Sequence, residues 1–262
     1  MKETVTLSIT IIGHNEIGHL QELLPTLHWA DEVVYVDCDS TDDSYLFAKE
    51  SGCRVFHRPN NPNLNVNKSF AIENASGDWI FYLDPDERIP AALAEEIRQK
   101  ISHPESAVAF TLKRKNHYFG KWLKRGSQYP DIQLRLFKKD KAVFPTEHVH
   151  ERLQVNGASG NLQEDLLHFP YLTISQFLQK FDFYTTFEAN YLQAKGLEPG
   201  FANAFRYFFS KPLTRFIRRY FFKLGIKDGW PGLFASLFDS LNFIVRYFKL
   251  LEISKDKRET NR

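Results

Sequence analysis

The sequence has 262 residues, with 34 Lys and Arg against 32 Asp and Glu, two Cys, 24 Phe, 11 Tyr and 4 Trp. This length suffices for one large domain or one domain with an appendage, and fractions of 43% hydrophobic and 25% charged residues exclude a wholly disordered chain. The net charge of +2 argues against a dedicated nucleic-acid-binding protein, and two Cys argue against a disulfide-stabilised secreted fold.

The N-terminal segment does not resemble a signal peptide. Its apolar stretch covers only residues 5–12 and is interrupted by Thr and Ser, so it predicts a strand. No uncharged apolar run reaches the roughly 18 residues that a membrane-spanning helix needs. We therefore expect a reducing, cytoplasmic location.

Strand and helix patterns alternate along the first 112 residues. Apolar runs predict strands over 7–12, 33–36, 54–56, 79–83 and 108–112, and apolar spacing predicts helices over 16–27, 42–50, 70–74 and 91–101. Strands that are apolar throughout and alternate with helices predict an α/β fold with a mostly parallel sheet covered by helices on both faces. Ligands bind such sheets beyond the carboxyl ends of the strands.

Polar turns follow the first two predicted strands. The first strand leads into Gly13, Asn15 and Glu16, and the second into Asp37 and the Ser-Thr-Asp run at 40–42. The 40–42 run also suits the N-cap of the next helix, an alternative that does not account for Asp37.

The fourth predicted strand ends in a cluster of carboxylates. Asp84 and Asp86 flank Pro85, and Glu87 follows. In extended geometry the two aspartates would point to the same side and repel each other. A hard divalent cation would neutralise them, because Mg²⁺ is commonly held by one or two carboxylates and substrate phosphate oxygens. The alternative is a solvated acidic turn, but the position at the end of a buried strand favours a metal site.

The C-terminal part of the chain has a different pattern, rich in aromatic and basic residues. Of the aromatic residues, 23 lie between Phe169 and Phe248, and the spacing predicts helices over 174–192, from Pro212 to Gly225, and over 233–251. Basic amphipathic helices with interleaved aromatics fit an anionic membrane surface, whereas the alternative is packing within the protein. We expect the first helix to be mostly core and residues 201–223 to be the better membrane candidate.

The ordered motifs resemble glycosyltransferase family 2. They are Asn15-Glu16 after the strand at 8–12, Val36-Asp37 with residues 40–42, and Gly77-Asp78-Trp79 leading into Leu83-Asp84-Pro85-Asp86-Glu87. The resemblance covers about residues 5–170 and implies a GT-A fold, with a catalytic domain at 1–170 and a C-terminal helical extension at 171–262. Similarity to lipopolysaccharide-core β-glucosyltransferases continues at Tyr129-Pro130-Asp131, Arg135-Leu136-Phe137, Val149-His150-Glu151 and Leu167-His168.

The resemblance also implies roles for individual residues. Those implied to bind the nucleotide sugar are Gly13, Asn15, Glu16, Asp37, Lys68 and Asp84. Asp86 would bind a divalent cation, Mg²⁺ or Mn²⁺, and His150 is the first candidate for a second ligand. Asp131 and Arg135 would contact the acceptor or a substrate phosphate, with pairing between these two residues as an alternative role for Arg135.

Inversion at the sugar requires a general base, and two carboxylates are candidates. Glu151 fits the closer subgroup, whereas Asp165 belongs to a literal Glu-Asp match. A structural zinc site at His148, His150 and His168 is a further alternative, although no compact fourth ligand supports it.

These expectations define a function: transfer of a hexose, with inversion, from a nucleotide diphosphate sugar to a saccharide hydroxyl of a cell-surface glycolipid such as lipopolysaccharide core. UDP-glucose is the first expected donor. The expected location is peripheral, on the inner face of the cell membrane, with no nucleic-acid partner. Two alternatives are a nucleotidyltransferase of similar sheet topology and a catalytically idle, membrane-bound scaffold protein.

Overall fold

The computed structural model describes residues 5–145 and 153–260, and the side chains as far as residue 255. The chain divides into two compact units, one comprising residues up to 114 together with 132–168, and the other comprising 115–131 together with the residues from 169 onward. The boundary expected after residue 170 stays a prediction.

The strands of the described chain are β1 (Leu7–Gly13), β2 (Glu32–Cys38), β3 (Arg54–Arg58), β4 (Trp79–Leu83), β5 (Glu87–Arg88), β6 (Ala107–Tyr118), β7 (Lys121–Trp122), β8 (Asp131–Lys138), β9 (Ala142–Val143), β10 (Gln154–Val155) and β11 (Ala158–Tyr171). The α-helices are α1 (Ile17–Leu23), α2 (Ser44–Glu50), α3 (Leu64–Asn74), α4 (Ala91–Ser102), α5 (Ile174–Ala194), α6 (Phe201–Phe205), α7 (Lys211–Ile217) and α8 (Gly229–Thr260).

One mixed sheet has the strand order β3-β2-β1-β4-β8-β6-β11-β5, with β7 beside β6. Strands β3, β2, β1 and β4 are mutually parallel, whereas β8 is antiparallel to β4 and β5 is antiparallel to β11. The predicted, mostly parallel α/β sheet is confirmed. Its parallel strands place the ends of β1, β2 and β4 at one edge, where the polar turns follow.

Alternating side chains of β1 face two separate cores. Leu7, Ile9 and Ile11 pack in a cluster with residues of α1, α2 and α4, whereas Ile12 packs in a cluster with Ala71 of α3. Helices therefore cover both faces, as the continuous apolar character of the strands predicted.

Two predicted helix boundaries on the first unit are wrong. Helix α3 begins at Leu64 rather than 70, because the Asn63 side chain accepts a hydrogen bond from the backbone N–H of Asn65 and caps the helix there. Helix α1 ends at Leu23, and a short 3₁₀ turn with Pro25 in its first positions follows.

The second unit is mainly helical. Thr173 and Gln176 form a capping box at the start of α5, and Phe177, Phe234 and Phe238 make edge-to-face or stacked ring contacts. The expectation of a mostly buried 174–192 helix holds for Phe177, which is 7% exposed, but not for Tyr184, which is 51% exposed.

Residues 201–222 form a continuous run of helical segments, in which π turns at Arg206–Ser210 and Arg218–Phe222 alternate with α6 and α7. The prediction that a helix opens at Pro212 agrees with α7, which begins at Lys211 and has Pro212 in its first positions, although α7 continues directly from a π turn. The π turn ends at Ser210, two residues before Pro212, and such turns accommodate the carbonyl that a proline leaves without its usual partner. Within the described residues, no helix is both long enough and apolar enough to cross a membrane.

Candidate active site

The acidic segment after β4 folds as a tight turn. The backbone N–H of Glu87 donates to the carbonyl of Asp84 at 3.0 Å, which places Pro85 and Asp86 at the two central positions. Proline is favoured at the first of these positions because its fixed φ matches the turn. The two aspartates are therefore not held in the extended geometry that we expected, and their carboxylates have different partners.

Asp84 is neutralised by two cations of the protein. Its Oδ2 accepts from Nη2 of Arg135 at 2.7 Å, and its Oδ1 lies 3.3 Å from Nζ of Lys68. Burial would raise the pKa of Asp84, but the charges of Lys68 and Arg135 outweigh burial and hold this pKa far below the ordinary carboxyl range. Asp84 is therefore neutralised by protein side chains, whereas we expected a divalent cation to neutralise it together with Asp86.

Arg135 is a buried hub beneath the turn. Its side chain is 2% exposed and forms ion pairs with Asp84 and with Glu87, which is fully buried. The guanidinium also lies 4.1 Å from the ring centre of Tyr82, on β4. Burial opposes the charge of Arg135, but the two carboxylates raise the pKa of the guanidinium well above its ordinary value.

Glu87 and Arg114 complete this network, and sequence reasoning assigned them no role. Arg114 Nη1 lies 2.9 Å from Oε1 of Glu87, whose other oxygen accepts from the backbone N–H of Asp84 at 3.0 Å. The available signal was an arginine within each of two apolar strands near an acidic turn, which calls for a buried carboxylate partner.

Asp86 faces an imidazole. Its Oδ1 lies 3.5 Å from Nε2 of His168, and the two side chains are 14% and 13% exposed. The antiparallel register of β5 and β11 sets His168 directly opposite Glu87. A carboxylate and an imidazole are suitable donors for Mg²⁺ or Mn²⁺ bound to a diphosphate. Residues 5–145 and 153–260 contain no group of three or more such ligands, and His150 lies outside the described residues.

The turns after β1 and β2 are tied to each other. Asn15 Oδ1 accepts from the backbone N–H of Thr41 at 2.7 Å, and its own N–H donates to Oγ of Ser40 at 3.0 Å. Glu16 precedes α1 and donates its N–H to Oγ of Ser44. Asp42 accepts from the N–H of Ser44 and of Ile17. Asn15 and the 40–42 run therefore shape the loop pair.

One carboxylate oxygen of the buried Asp37 receives no hydrogen bond within the described chain. The residue is 1% exposed, and its Oδ2 accepts from the N–H of Ser40 at 3.1 Å. In the described chain, its Oδ1 is buried without a hydrogen-bond partner. The parallel register places His57 opposite Asp37, and the two side chains approach to 3.8 Å. A buried carboxylate oxygen without a donor is costly unless a ligand supplies one.

Gly13 ends β1 in close contact with Tyr35. A Cβ on Gly13 would lie 2.8 Å from Oη of Tyr35. We expect Gly13→Ala to lower the free energy of unfolding by about 1–3 kcal/mol, because the buried ring must shift. Gly18→Ala is the control: nothing lies within 4 Å of its Cβ, and alanine in an exposed helix stabilises by about 0.5–1 kcal/mol. Urea unfolding measures the free energy of unfolding of both variants. Equal changes in the two variants would contradict the close contact between Gly13 and Tyr35.

The remaining predicted residues lie on strands or outside the described residues. Asp165 lies within β11, and Asp131 begins β8, where its Oδ2 accepts from the side-chain amide of Asn116 at 3.2 Å. Glu151 lies outside the described residues.

The fold is also found in a solved glycosyltransferase. The mannosyltransferase PcManGT from Pyrobaculum calidifontis, determined in complex with GDP-Man and Mn²⁺, superposes with a TM-score of 0.55 at 13% identity, covering 95% of this chain and 88% of that chain. Together with the sheet order and the turn after β4, this similarity defines a GT-A fold with added C-terminal helices.

The sequence comparisons define the family. The model of glycosyl transferase family 2 matches residues 8–157. The lipopolysaccharide core biosynthesis glycosyltransferase LpsC of Rhizobium meliloti (strain 1021) is 28% identical over 222 residues, which are 82% of this chain and 80% of LpsC. Glycosyltransferase RT0209 of Rickettsia typhi (strain ATCC VR-144 / Wilmington) is 28% identical over 264 residues, 96% of this chain and 89% of the relative.

This chain belongs to glycosyltransferase family 2 and is a glycosyltransferase. The alternatives of a nucleotidyltransferase and of an idle scaffold are wrong. The enzyme therefore requires a sugar donor and an acceptor.

Proposed function

We propose that this enzyme transfers a hexose, with inversion, from a nucleotide diphosphate sugar to a saccharide hydroxyl of a cell-surface glycolipid, with lipopolysaccharide core as the leading acceptor and UDP-glucose as the leading donor. The acceptor class is supported by the similarity to LpsC, whose name assigns it to lipopolysaccharide core biosynthesis. An acceptor of this kind supports a peripheral location on the inner face of the cell membrane.

The observation that supports the proposal most directly is that the three carboxylates of the turn after β4 have different partners. Asp84 and Glu87 are committed to Arg135, whereas Asp86 faces the imidazole of His168. Asp86 would hold a divalent cation, Mg²⁺ or Mn²⁺, with His168 or His150 as its second protein ligand. Such an ion, when bound, neutralises charge on the departing nucleotide diphosphate. The presence of Mn²⁺ with GDP-Man in PcManGT supports this assignment.

The donor nucleotide would occupy the turns after β1 and β2. The buried Oδ1 of Asp37 lacks a donor in the described chain, and the base or ribose of a nucleotide offers N–H or O–H groups. Gly13, Asn15 and Glu16 shape the adjacent loop. Lys68 and Asp84 form an ion pair at 3.3 Å, which supports the proposal that both side chains bind the nucleotide sugar from one side of its site.

Arg135 and Asp131, both expected near the acceptor or a phosphate, have different surroundings. Arg135 is 2% exposed and occupied by two carboxylates, which supports a positioning role beneath the turn rather than direct contact with a phosphate. Asp131 bonds to Asn116 and stays a proposed acceptor contact.

The general base is proposed to be Glu151 rather than Asp165. Side chains along a strand alternate between faces, so Asp165, three residues before His168 on β11, points away from the face that carries His168. A base must reach the acceptor hydroxyl beside the metal-bound donor. This geometry argues against Asp165 and supports the proposal of Glu151.

The test is nucleotide diphosphate release from a panel of nucleotide sugars with Mn²⁺, preceded by a thermal-shift screen, since a bound donor raises the melting temperature. UDP-glucose is expected to give the largest shift, and a lipopolysaccharide core acceptor is expected to stimulate release.

In this assay Glu151→Gln is expected to lower kcat by about 10²- to 10⁴-fold, the usual contribution of a general base. Asp165→Asn, the matched carboxylate-to-amide control, is expected to retain kcat within a few-fold. The reverse pattern would assign the base to Asp165.

A further inference from the structure

A row of apolar side chains runs along the outside of the helical segments at 201–222. Its members recur at every fourth residue, and their exposed fractions are Phe201 90%, Phe205 57%, Phe209 62%, Leu213 61%, Ile217 36% and Phe221 52%. Soluble proteins rarely expose a contiguous apolar surface of this kind unless something covers it in function.

The two π turns explain why all six members of the row remain on the exposed side. In a regular α-helix a four-residue step advances by about 400°, so a row of six residues would drift by about 200° and turn into the protein. The π turns at Arg206–Ser210 and Arg218–Phe222 take more residues per turn and offset this drift. The next residue after each member of the row is also exposed, whereas Tyr207 and Arg219, two residues after a member, are buried.

The same stretch is strongly cationic. Residues 199–227 contain no Asp or Glu, and their basic residues are Arg206, Lys211, Arg215, Arg218, Arg219, Lys223 and Lys227. Arg206 and Arg218 directly follow members of the row, are exposed, and have no ion-pair partner among the described residues. Lys223 is exposed beside Phe222, which is 78% exposed.

We propose that the row from Phe201 to Phe221, with the flanking cations, is a docking surface for an anionic lipid bilayer. The side chains of the row would enter the headgroup boundary while Arg206 and Arg218 contact lipid phosphates. Charge decides between a bilayer and a second copy of this chain: a symmetric dimer would bring the same acid-free stretch against itself. The proposal does not rest on the sugar-transfer reaction, and its test contains no sugar.

The test is co-sedimentation of the full chain with vesicles of phosphatidylcholine alone or with added phosphatidylglycerol. Binding is expected only with the anionic lipid and is expected to weaken as salt shortens the range of the charges. Phe205→Ser/Phe209→Ser is expected to lower the partition coefficient at least about tenfold. Phe183→Ser/Leu178→Ser removes similarly exposed residues of α5, at 60% and 44%, and is expected to leave it unchanged.

The contribution of the cations to binding is tested with a second double variant and its control. Arg206→Gln/Arg218→Gln is expected to lower the partition coefficient about tenfold or more, since each cation near the surface contributes about fivefold. Lys49→Gln/Lys195→Gln, two exposed lysines elsewhere, is expected to have little effect. An equal decrease of the partition coefficient in both double variants would show that binding depends only on total charge, and it would overturn the proposal.

Hydrogen exchange of the unmodified protein guards against misfolded variants. Anionic vesicles are expected to slow exchange across 201–224 and not across α2. Protection that appears without vesicles and increases with protein concentration would indicate a second copy instead. Binding that is unaffected by the Phe205/Phe209 change, or that also occurs with nucleic acid at equal strength, would likewise overturn the bilayer assignment.

Discussion

Replacement of Asp86 by alanine is expected to lower kcat for nucleotide diphosphate release by about 10²- to 10³-fold, the loss seen when one electrostatic contact to a developing charge is removed. Asp86 faces His168 and lies in a turn whose other two carboxylates are paired with Arg135. The Mn²⁺ concentration that gives half-maximal activity is expected to rise, because a metal ligand is lost.

Two controls isolate this effect. Asp140→Ala removes an exposed carboxylate, 75% accessible, and is expected to leave kcat within twofold. Thermal unfolding should show that Asp86→Ala remains folded. If Asp86→Ala keeps the kcat of the unmodified protein, Asp86 is not a metal ligand. If only His168→Ala lowers kcat, the metal is bound by ligands other than Asp86.

Replacement of Arg135 by methionine is expected to lower the free energy of unfolding by about 3–5 kcal/mol. The change leaves the fully buried carboxylate of Glu87 with Arg114 alone and leaves Asp84 with Lys68 alone. Removing one partner of a buried ion pair is costly because the remaining charge stays out of water. Urea unfolding with far-UV circular dichroism measures the change.

Arg54→Met is the matched control, because Arg54 is 52% exposed where it pairs with Glu32 at 3.4 Å. Exposed pairs contribute about 0–1 kcal/mol. The double variant Arg135→Met/Glu87→Gln is expected to recover part of the loss. Similar costs for Arg135→Met and Arg54→Met would show that the buried network does not stabilise the fold.

The same network predicts an acid limb in the pH dependence of stability. The folded pKa of Asp84 lies far below the unfolded value, so its contribution is present above the ordinary carboxyl pKa and is lost as pH falls below it. In Arg135→Met the slope of the unfolding free energy between about pH 5 and pH 3 is expected to be shallower than in the unmodified protein. An unchanged slope would assign the acid limb to other carboxylates.

Helix boundaries show where local sequence patterns were insufficient. The apolar spacing near residue 70 predicted a helix there, but the Asn63 cap extends α3 six residues further toward the N-terminus. Pro212 lies in the first positions of α7, as its helix-start signal predicted, but α7 continues a helical run that begins at Phe201. The start of α3 thus depends on a hydrogen bond from a backbone N–H to a side chain, which apolar periodicity does not report.

The candidate site was foreseen as a set of residues but not as a set of contacts. Asp84, Asp86 and Lys68 were identified from motifs, whereas Glu87 and Arg114 were assigned no role. Which carboxylate meets which cation depends on the pairing of strands such as β4 and β8. This pairing brings Asp84, directly after β4, next to Arg135 of β8, although the two residues are far apart in the chain.

Residue patterns alone were sufficient to predict the parallel sheet, the polar turns at its edge and the membership in a glycosyltransferase family, because strand periodicity and side-chain chemistry are local properties. The folded chain was needed to show that Asp84 pairs with Lys68 and Arg135 while Asp86 faces His168. It was also needed to show that the apolar residues at 201–221 form one exposed row. Both outcomes depend on long-range pairing and on π turns, for which a linear pattern of residue types contains no signal.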